Sequence, residues 1–436
     1  MSLFPKCGGL ALAALVAFAA PPAVARDAAA TAFSQANAAA LFEDARVICT
    51  RDDGRLWGHT LCGPMMLVDP QTRAVIANHA DGEGVLKADG AAFTGTLPVV
   101  VNLANTPTEW AGVRWTQILW PLMGTDEARQ VMIAHELFHR IQPMLGMLHD
   151  DGDNGHLDTL EGRYLLQLEW RALTAALSAP SEAARRRAVD DALAFRAERY
   201  RLFPDAAVNE RGLELNEGVA EYTGVMLGLT SARARTAYAV RDLTFHIGDA
   251  TFVRSFAYAT GPAYGLLLDR YAPGWRAKMK SKDAPALDLL LRTAVPSRAA
   301  NVPERSAAYD LGPLRAFETD RDTKRQALLS ALHARFVDGP VLCVPTQKIN
   351  YQFNPSAAQP LQGVGTVYPR LRVTGAFGIL ETTNGGLLGK TTCGVSVSAA
   401  GADMGALKGD GWTLTLNPGW SVEPGPRQGD WIVVGP

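Results

Sequence analysis

The chain has no Cys-x-x-Cys pair and only 5 cysteines in all. Thiolate zinc knuckles and ribbons are thereby excluded, because they need closely spaced cysteines. Positive charge is not in surplus: 42 Lys and Arg stand against 44 Asp and Glu, a net of −2. A nucleic-acid binder would carry a basic excess to match phosphate, so that class of partner is excluded too. After the first 25 residues no apolar run is long enough to span a bilayer. No internal repeat recurs, which sets aside solenoids and propellers. Histidine is scarce as well, with 8 in the chain. That scarcity makes a close pair of histidines informative.

What is present begins with an export pattern. Lys6 supplies a positive start, Gly8 to Ala20 is a short apolar stretch, and Ala23-Val24-Ala25 is a small-residue cleavage site. Residues 1–25 are thus expected to be a signal peptide, with Arg26 opening the mature chain. Cys7 precedes the apolar stretch, so it leaves with the signal. Export, periplasmic or secreted, puts Cys49, Cys62, Cys343 and Cys393 in an oxidising compartment, where two disulfides are expected. Sequence proximity favours Cys49–Cys62 and Cys343–Cys393, although four cysteines allow three pairings.

The mature chain divides by composition. An Ala-rich helical start to about Val47 gives way to short apolar runs broken by Gly and Pro. Met65–Val68, Ala74–Ile76, Leu97–Leu103 and Trp115–Trp120 read as strands of a mixed sheet. A helix follows from Thr125 to Ile141, with Thr125 as N-cap and Asp126 and Glu127 at its positive end. After the polar loop His149–His156 the pattern is mostly helical to about Phe336, including Thr159–Leu177, Ser181–Leu202, Leu213–Leu227, Ala232–His246 and Ala263–Tyr271. Beyond Asp338-Gly339-Pro340 the helical period disappears. Val341–Pro345, Gly365–Val373, Cys393–Ser398 and Trp412–Leu416 read as strands. The expectation is an α+β chain: a mainly helical catalytic domain over 26–339 with an N-terminal mixed sheet, then a small all-β domain over 340–436.

His135-Glu136-Leu137-Phe138-His139 lies inside the first of these helices. Residues four apart share a helical face, so both imidazoles can reach one zinc ion, while Glu136 leans into the same cavity as a proton acceptor. Zinc lowers the pKa of a bound water to roughly 7, which is the use such a motif makes of the metal. Two histidines leave a catalytic zinc one protein ligand short. The metzincin spacing fails, since it needs Gly and His where the chain has Gln142 and Leu145. His149, His156, Asp153 and Asp158 in and after the polar loop are weaker candidates. Glu169 competes, though a salt bridge to Arg163 or Arg171 explains it more simply.

The strongest candidate is in Leu215-Asn216-Glu217-Gly218-Val219-Ala220-Glu221-Tyr222. Glu217 and Glu221 share a face, so one can bind metal while the other orients a ligand histidine. Glu214 falls toward the same side, which leaves a solvated acidic face as the alternative. The segment Asn-Glu-x-x-Ala-Glu-x-x-Gly resembles the second zinc motif of thermolysin-like gluzincins, and Leu-Asn-Glu-Gly-Val-Ala-Glu-Tyr that of the aminopeptidase N family. The resemblance implies a zincin fold, one zinc ion, Glu217 as third ligand and Glu221 as support for a ligand histidine. Tyr258-Ala259-Thr260-Gly261 resembles the segment that carries the catalytic tyrosine in the aminopeptidase N family, which implies Tyr258 as oxyanion stabiliser ahead of Tyr264 and His246. The chain departs from both families in the long insertion between the two zinc motifs. It also lacks the Gly-x-Met-Glu-Asn pattern that grips a free amino terminus. In zincins an edge strand before the metal helix pairs with extended substrate, and Trp115–Trp120 or Val99–Leu103 is the candidate. These features together imply an exported zinc metallopeptidase acting on a peptide or protein substrate. Two alternatives stand beside it: a zinc-binding protein without turnover, and a hydrolase of an ester or cell-wall bond.

Overall fold

The computed structural model describes residues 32–296, 301–310, 312–345, 349–353, 358–389 and 393–436. The expected signal peptide, Cys7 and Arg26 lie outside the described residues. The chain is mixed α/β, with a helical core between an N-terminal sheet and C-terminal sheets.

Helix α1 (Gln35–Asp52) leads into a six-stranded sheet made of β1 (Met65–Val68), β2 (Ala74–Ala77), β3 (Lys87–Asp89), β4 (Ala92–Thr96), β5 (Thr106–Trp110) and β6 (Val113–Leu119). Their order is β3-β4-β2-β1-β6-β5, with β1 and β6 parallel and the other pairs antiparallel. Two expectations about this sheet are corrected. Residues 97–103 form no strand: Val99 and Val100 are exposed, and the carbonyls of Leu97, Pro98 and Val101 accept from Arg73 instead of from a neighbouring strand. The strand over Trp115–Trp120, which is β6, lies between β1 and β5, so neither of its edges is free for a substrate. The edge strands are β3 and β5.

Helix α2 (Asp126–Ile141) follows β6 and is capped by the Thr125 side chain. It is buried on nearly every side because α1, the sheet and α6 (Val219–Gly228) all pack against it. Between α2 and α6 come α3 (Leu160–Leu177), α4 (Glu182–Leu202) and α5 (Ala206–Leu213). Helix α5 runs into α6 through a π-turn, Glu214–Gly218. Helices α7 (Ala232–Phe245) and α8 (Ser255–Tyr271) complete the surroundings of the site. Helix α8 starts a full two turns before the expected Ala263 and carries Pro262 inside it.

Helices α3, α4 and α5 are tied to one another and to the π-turn by buried charge. Arg196 lies 2.7 Å from Glu169 and 2.9 Å from Glu214, and Arg199 lies 2.8 Å from Glu169 and 2.7 Å from Glu210. All five side chains are out of solvent. Burial works against the Glu210 carboxylate, yet Arg199 and His156 hold its pKa down at about 2. Each charge here has an opposite partner, without which burial would be costly.

Helical structure ends at Asp338 and strands begin at Val341. The C-terminal part is two sheets, of seven and five strands, sharing a core of Leu342, Val344, Val373, Leu380, Val397 and Trp412. The expected strand over Gly365–Val373 is two strands, Gly365–Tyr368 and Leu371–Gly375, which belong to different sheets. Both disulfides form as proximity suggests, Cys49–Cys62 and Cys343–Cys393. Among the described residues no helix is long and apolar enough to cross a membrane.

Candidate metal centre

Helices α2 and α6 come together with no side chain between them at two points. A Cβ on Gly224 would stand 2.6 Å from the Val131 carbonyl, and one on Gly228 would stand 2.7 Å from the Gln130 backbone. Only glycine permits this approach, and it brings Glu221 against His135. A second close contact places α8. A Cβ on Gly261 would meet the Gly218 carbonyl at 2.1 Å, so α8 lies directly on the π-turn and sets Tyr258 beside Glu217.

On this frame His135, His139 and Glu217 converge, with one potential ligand atom from each lying within 4.8 Å of the others. The two Nε2 atoms are 2.9 Å apart. Oε2 of Glu217 is 3.5 Å from His135 Nε2 and 3.4 Å from His139 Nε2. His135 Nδ1 donates to Oε2 of Glu221 at 2.8 Å, and His139 Nδ1 donates to Oε1 of Gln142 at 2.8 Å. The Gln142 amide is oriented in turn, since its Nε2 donates to the carbonyls of Leu215 and Asn216. With both Nδ1 protons committed, both Nε2 lone pairs point at the same place, and so does a carboxylate oxygen. Three electron-rich atoms facing one point repel unless a proton or a cation lies between them. The donor set, two imidazoles and one carboxylate, is that of a catalytic zinc site. The residues therefore fit a zinc ion.

The electrostatics agree with this demand for positive charge. Burial opposes a charged imidazole at His135, but Glu217 and Glu221 outweigh it and raise the pKa well above the ordinary value. Burial likewise opposes the Glu217 carboxylate, and the two histidines overcome it and push the pKa far down. Glu136 behaves differently. Burial raises its pKa, and the acids Glu217 and Glu221 add to this while the histidines oppose it. Its Oε2 is buried and accepts no hydrogen bond among the described residues. Buried polar atoms are nearly always satisfied, so an orphan carboxylate oxygen beside a cluster of ligand atoms stands out.

Tyr258 stacks on His135, with ring centroids 5.7 Å apart, and its hydroxyl donates to Glu217 Oε2 at 2.7 Å. Burial and the Glu217 charge raise its pKa, so the phenol keeps its proton. The other candidates are elsewhere. Glu169 binds Arg196 and Arg199, not Arg163 or Arg171 as expected, and also accepts from Tyr264. Its partners lie on a helix distant in sequence, which local spacing does not reveal. His156 pairs with Glu210 and His246 with Asp249. Asp158 accepts from Thr251 and the Phe252 backbone, and Asp153 from the Gly155 backbone. His149 meets Asn216 only through its backbone. Glu214 does not share the face of Glu217: it is buried against Arg196, because the π-turn rotates it away.

Sequence reasoning missed three residues here. Gln142 counted only as a departure from another spacing, yet it holds His139. Arg254 donates to Glu217 Oε1 at 3.1 Å; its signal was its place four residues before Tyr258. Asp242 on α7 lies beside Glu221, and burial together with the Glu221 charge raises its pKa to about 8, against the pull of Arg241. The unfolded chain releases this proton near pH 4, the folded metal-free chain only near 8, so the cost builds with rising pH between those values. Asp242→Asn should therefore stabilise the metal-free protein by roughly 4 kcal/mol at about pH 7 and by nothing below about pH 4. Urea unfolding at the two pH values checks this, and an equal gain at both would contradict it.

No family model, no curated protein and no solved structure matches the chain.

Proposed function

We propose that the chain is an exported, zinc-dependent metallohydrolase of the zincin kind that cleaves peptide bonds. One observation carries the proposal: ligand atoms of His135, His139 and Glu217 converge beside the unpartnered, buried Oε2 of Glu136. The two disulfides support export, since such bonds persist in oxidising compartments.

His135, His139 and Glu217 would hold the ion. Zinc in such a site supplies a Lewis acid that polarises a carbonyl and makes water more acidic. The chain's own residues do the rest. Glu136 Oε2 takes a proton from the attacking water as its oxygen bonds to the carbonyl carbon. The same carboxyl then delivers that proton to the leaving amine as the C–N bond breaks. Burial raises the pKa of Glu136, which brings it nearer the range where one group serves as both base and acid. The Tyr258 hydroxyl swings from Glu217 and donates to the developing oxyanion. Glu221 and Gln142 keep the two imidazoles in the tautomer that presents Nε2.

Metal analysis of the purified full chain, joined to hydrolysis of casein and a mixed peptide library with and without a zinc chelator, tests the proposal. Peptide cleavage lost on chelation and restored by zinc is the expected result. Cleavage indifferent to chelation would end the proposal. Metal uptake without any cleavage would leave a binding protein, and cleavage confined to ester or cell-wall substrates would move the activity to another bond. Glu221→Ala should keep the fold but weaken zinc affinity by about 10–100-fold, as loss of a histidine's orienting partner does. Competition against a chromogenic chelator measures this, and an affinity equal to wild type would remove Glu221 from the assignment.

A further inference from the structure

The two oxygens of Glu217 are treated differently. Oε2 faces the imidazoles at 3.4 and 3.5 Å and also accepts from the Tyr258 hydroxyl at 2.7 Å. Oε1 lies 3.1 Å from Nη2 of Arg254. The other arm of that guanidinium, Nη1, donates to Oδ2 of Asp151 at 3.2 Å, and Oδ1 of Asp151 accepts from the Asn216 amide at 2.7 Å. Asn216 precedes Glu217 in the chain, so the contacts close a ring: Glu217, Arg254, Asp151, Asn216 and back. The Asn216 amide also holds the backbone of His149, which fixes the loop that bears Asp151.

A carboxylate beside a divalent cation binds through one oxygen or chelates through both. Chelation would fill the position that a catalytic site keeps open for water and substrate. We infer that Arg254 is a positioning residue that occupies Glu217 Oε1 and so restricts Glu217 to a single ligand oxygen. The inference rests on the metal reading of the site. Arginine suits the task because its planar fork offers two donors at a fixed angle, one for each carboxylate, whereas a lysine is a single point charge. The Arg254 side chain is 50% exposed, so water screens its charge and its effect is chiefly one of orientation.

Cobalt(II) reports the coordination number directly. Its visible absorption is intense in a four-coordinate site and weak in a five-coordinate one. The full chain, stripped and reloaded with cobalt(II) chloride, should show the intense band. Arg254→Gln should lose most of that intensity, because Oε1 is then free to chelate. Arg254→Lys should resemble Arg254→Gln, and Asp151→Asn should show part of the same change. Zinc-loaded Arg254→Gln should turn over peptide about tenfold more slowly. Cobalt bound with an unchanged band in Arg254→Gln would overturn the role of Arg254 and leave the metal reading standing. If Arg254→Gln fails to fold, an unchanged band in Asp151→Asn overturns it equally. Failure of the folded wild type to take up cobalt at all would overturn the metal reading, and this inference with it.

Discussion

Glu136→Gln should lower kcat/KM for peptide hydrolysis by roughly 10³–10⁴-fold while the protein keeps its metal, a loss of about 4–5.5 kcal/mol of transition-state stabilisation. Glutamine matches glutamate in shape but takes no proton from water. The side chain ligates nothing and its Oε2 is unpartnered, so the substitution leaves the ligand set and the local packing intact. Stability moves the other way. The folded metal-free chain raises the pKa of Glu136, so burying its charge costs stability at pH above the unfolded value near 4.5. The amide carries no charge to bury, and the variant should unfold at higher urea than wild type near neutral pH. Single-turnover assays, metal analysis and urea titration on one preparation give all three readings. A variant that retains wild-type turnover would remove Glu136 from the chemistry, and one that loses its metal would make it a ligand.

Loss of Glu217 should be as large in a different quantity. Free zinc at about a thousand times its dissociation constant stabilises a protein by roughly 4 kcal/mol. Wild type should show that increment and Glu217→Ala nearly none at the same zinc concentration, because two imidazoles alone leave the site a protein ligand short. The wild-type increment should also shrink on acidification. The His135 pKa is raised, so protons compete for Nε2 from above the usual histidine range downward, and each must leave before metal binds. Thermal unfolding with buffered zinc over a pH series measures both effects. An equal zinc increment in Glu217→Ala would move the third ligand elsewhere.

How much was legible from residues alone follows from distance along the chain. His135, Glu136 and His139 declare themselves because their geometry is one helical turn and depends on nothing remote. Glu217, Glu221 and Tyr258 are legible as short patterns whose glycines, Gly218 and Gly261, are required by backbone contact. The partners of Glu169 were not legible, because Arg196 and Arg199 come from another helix and no local spacing pairs them. Gln142 was not legible, because a polar residue after a helix has many possible partners. The sheet was read least well where strands lie at its margins. Lys87–Asp89 is wholly exposed and Ala92–Thr96 half-buried, so neither shows the alternation that marks a strand with one covered face. The apolar run at Val99 and Val100 suggested burial that the fold does not provide.

A π-turn holds one residue more than the α-turn it replaces. Between Glu214 and Gly218 that surplus lets one acid face Arg196 while the next faces the histidines. Deleting a single residue there would swing everything downstream by about 100° around the helix axis, and no point substitution elsewhere could compensate. In these five positions the number of residues therefore matters as much as their kind.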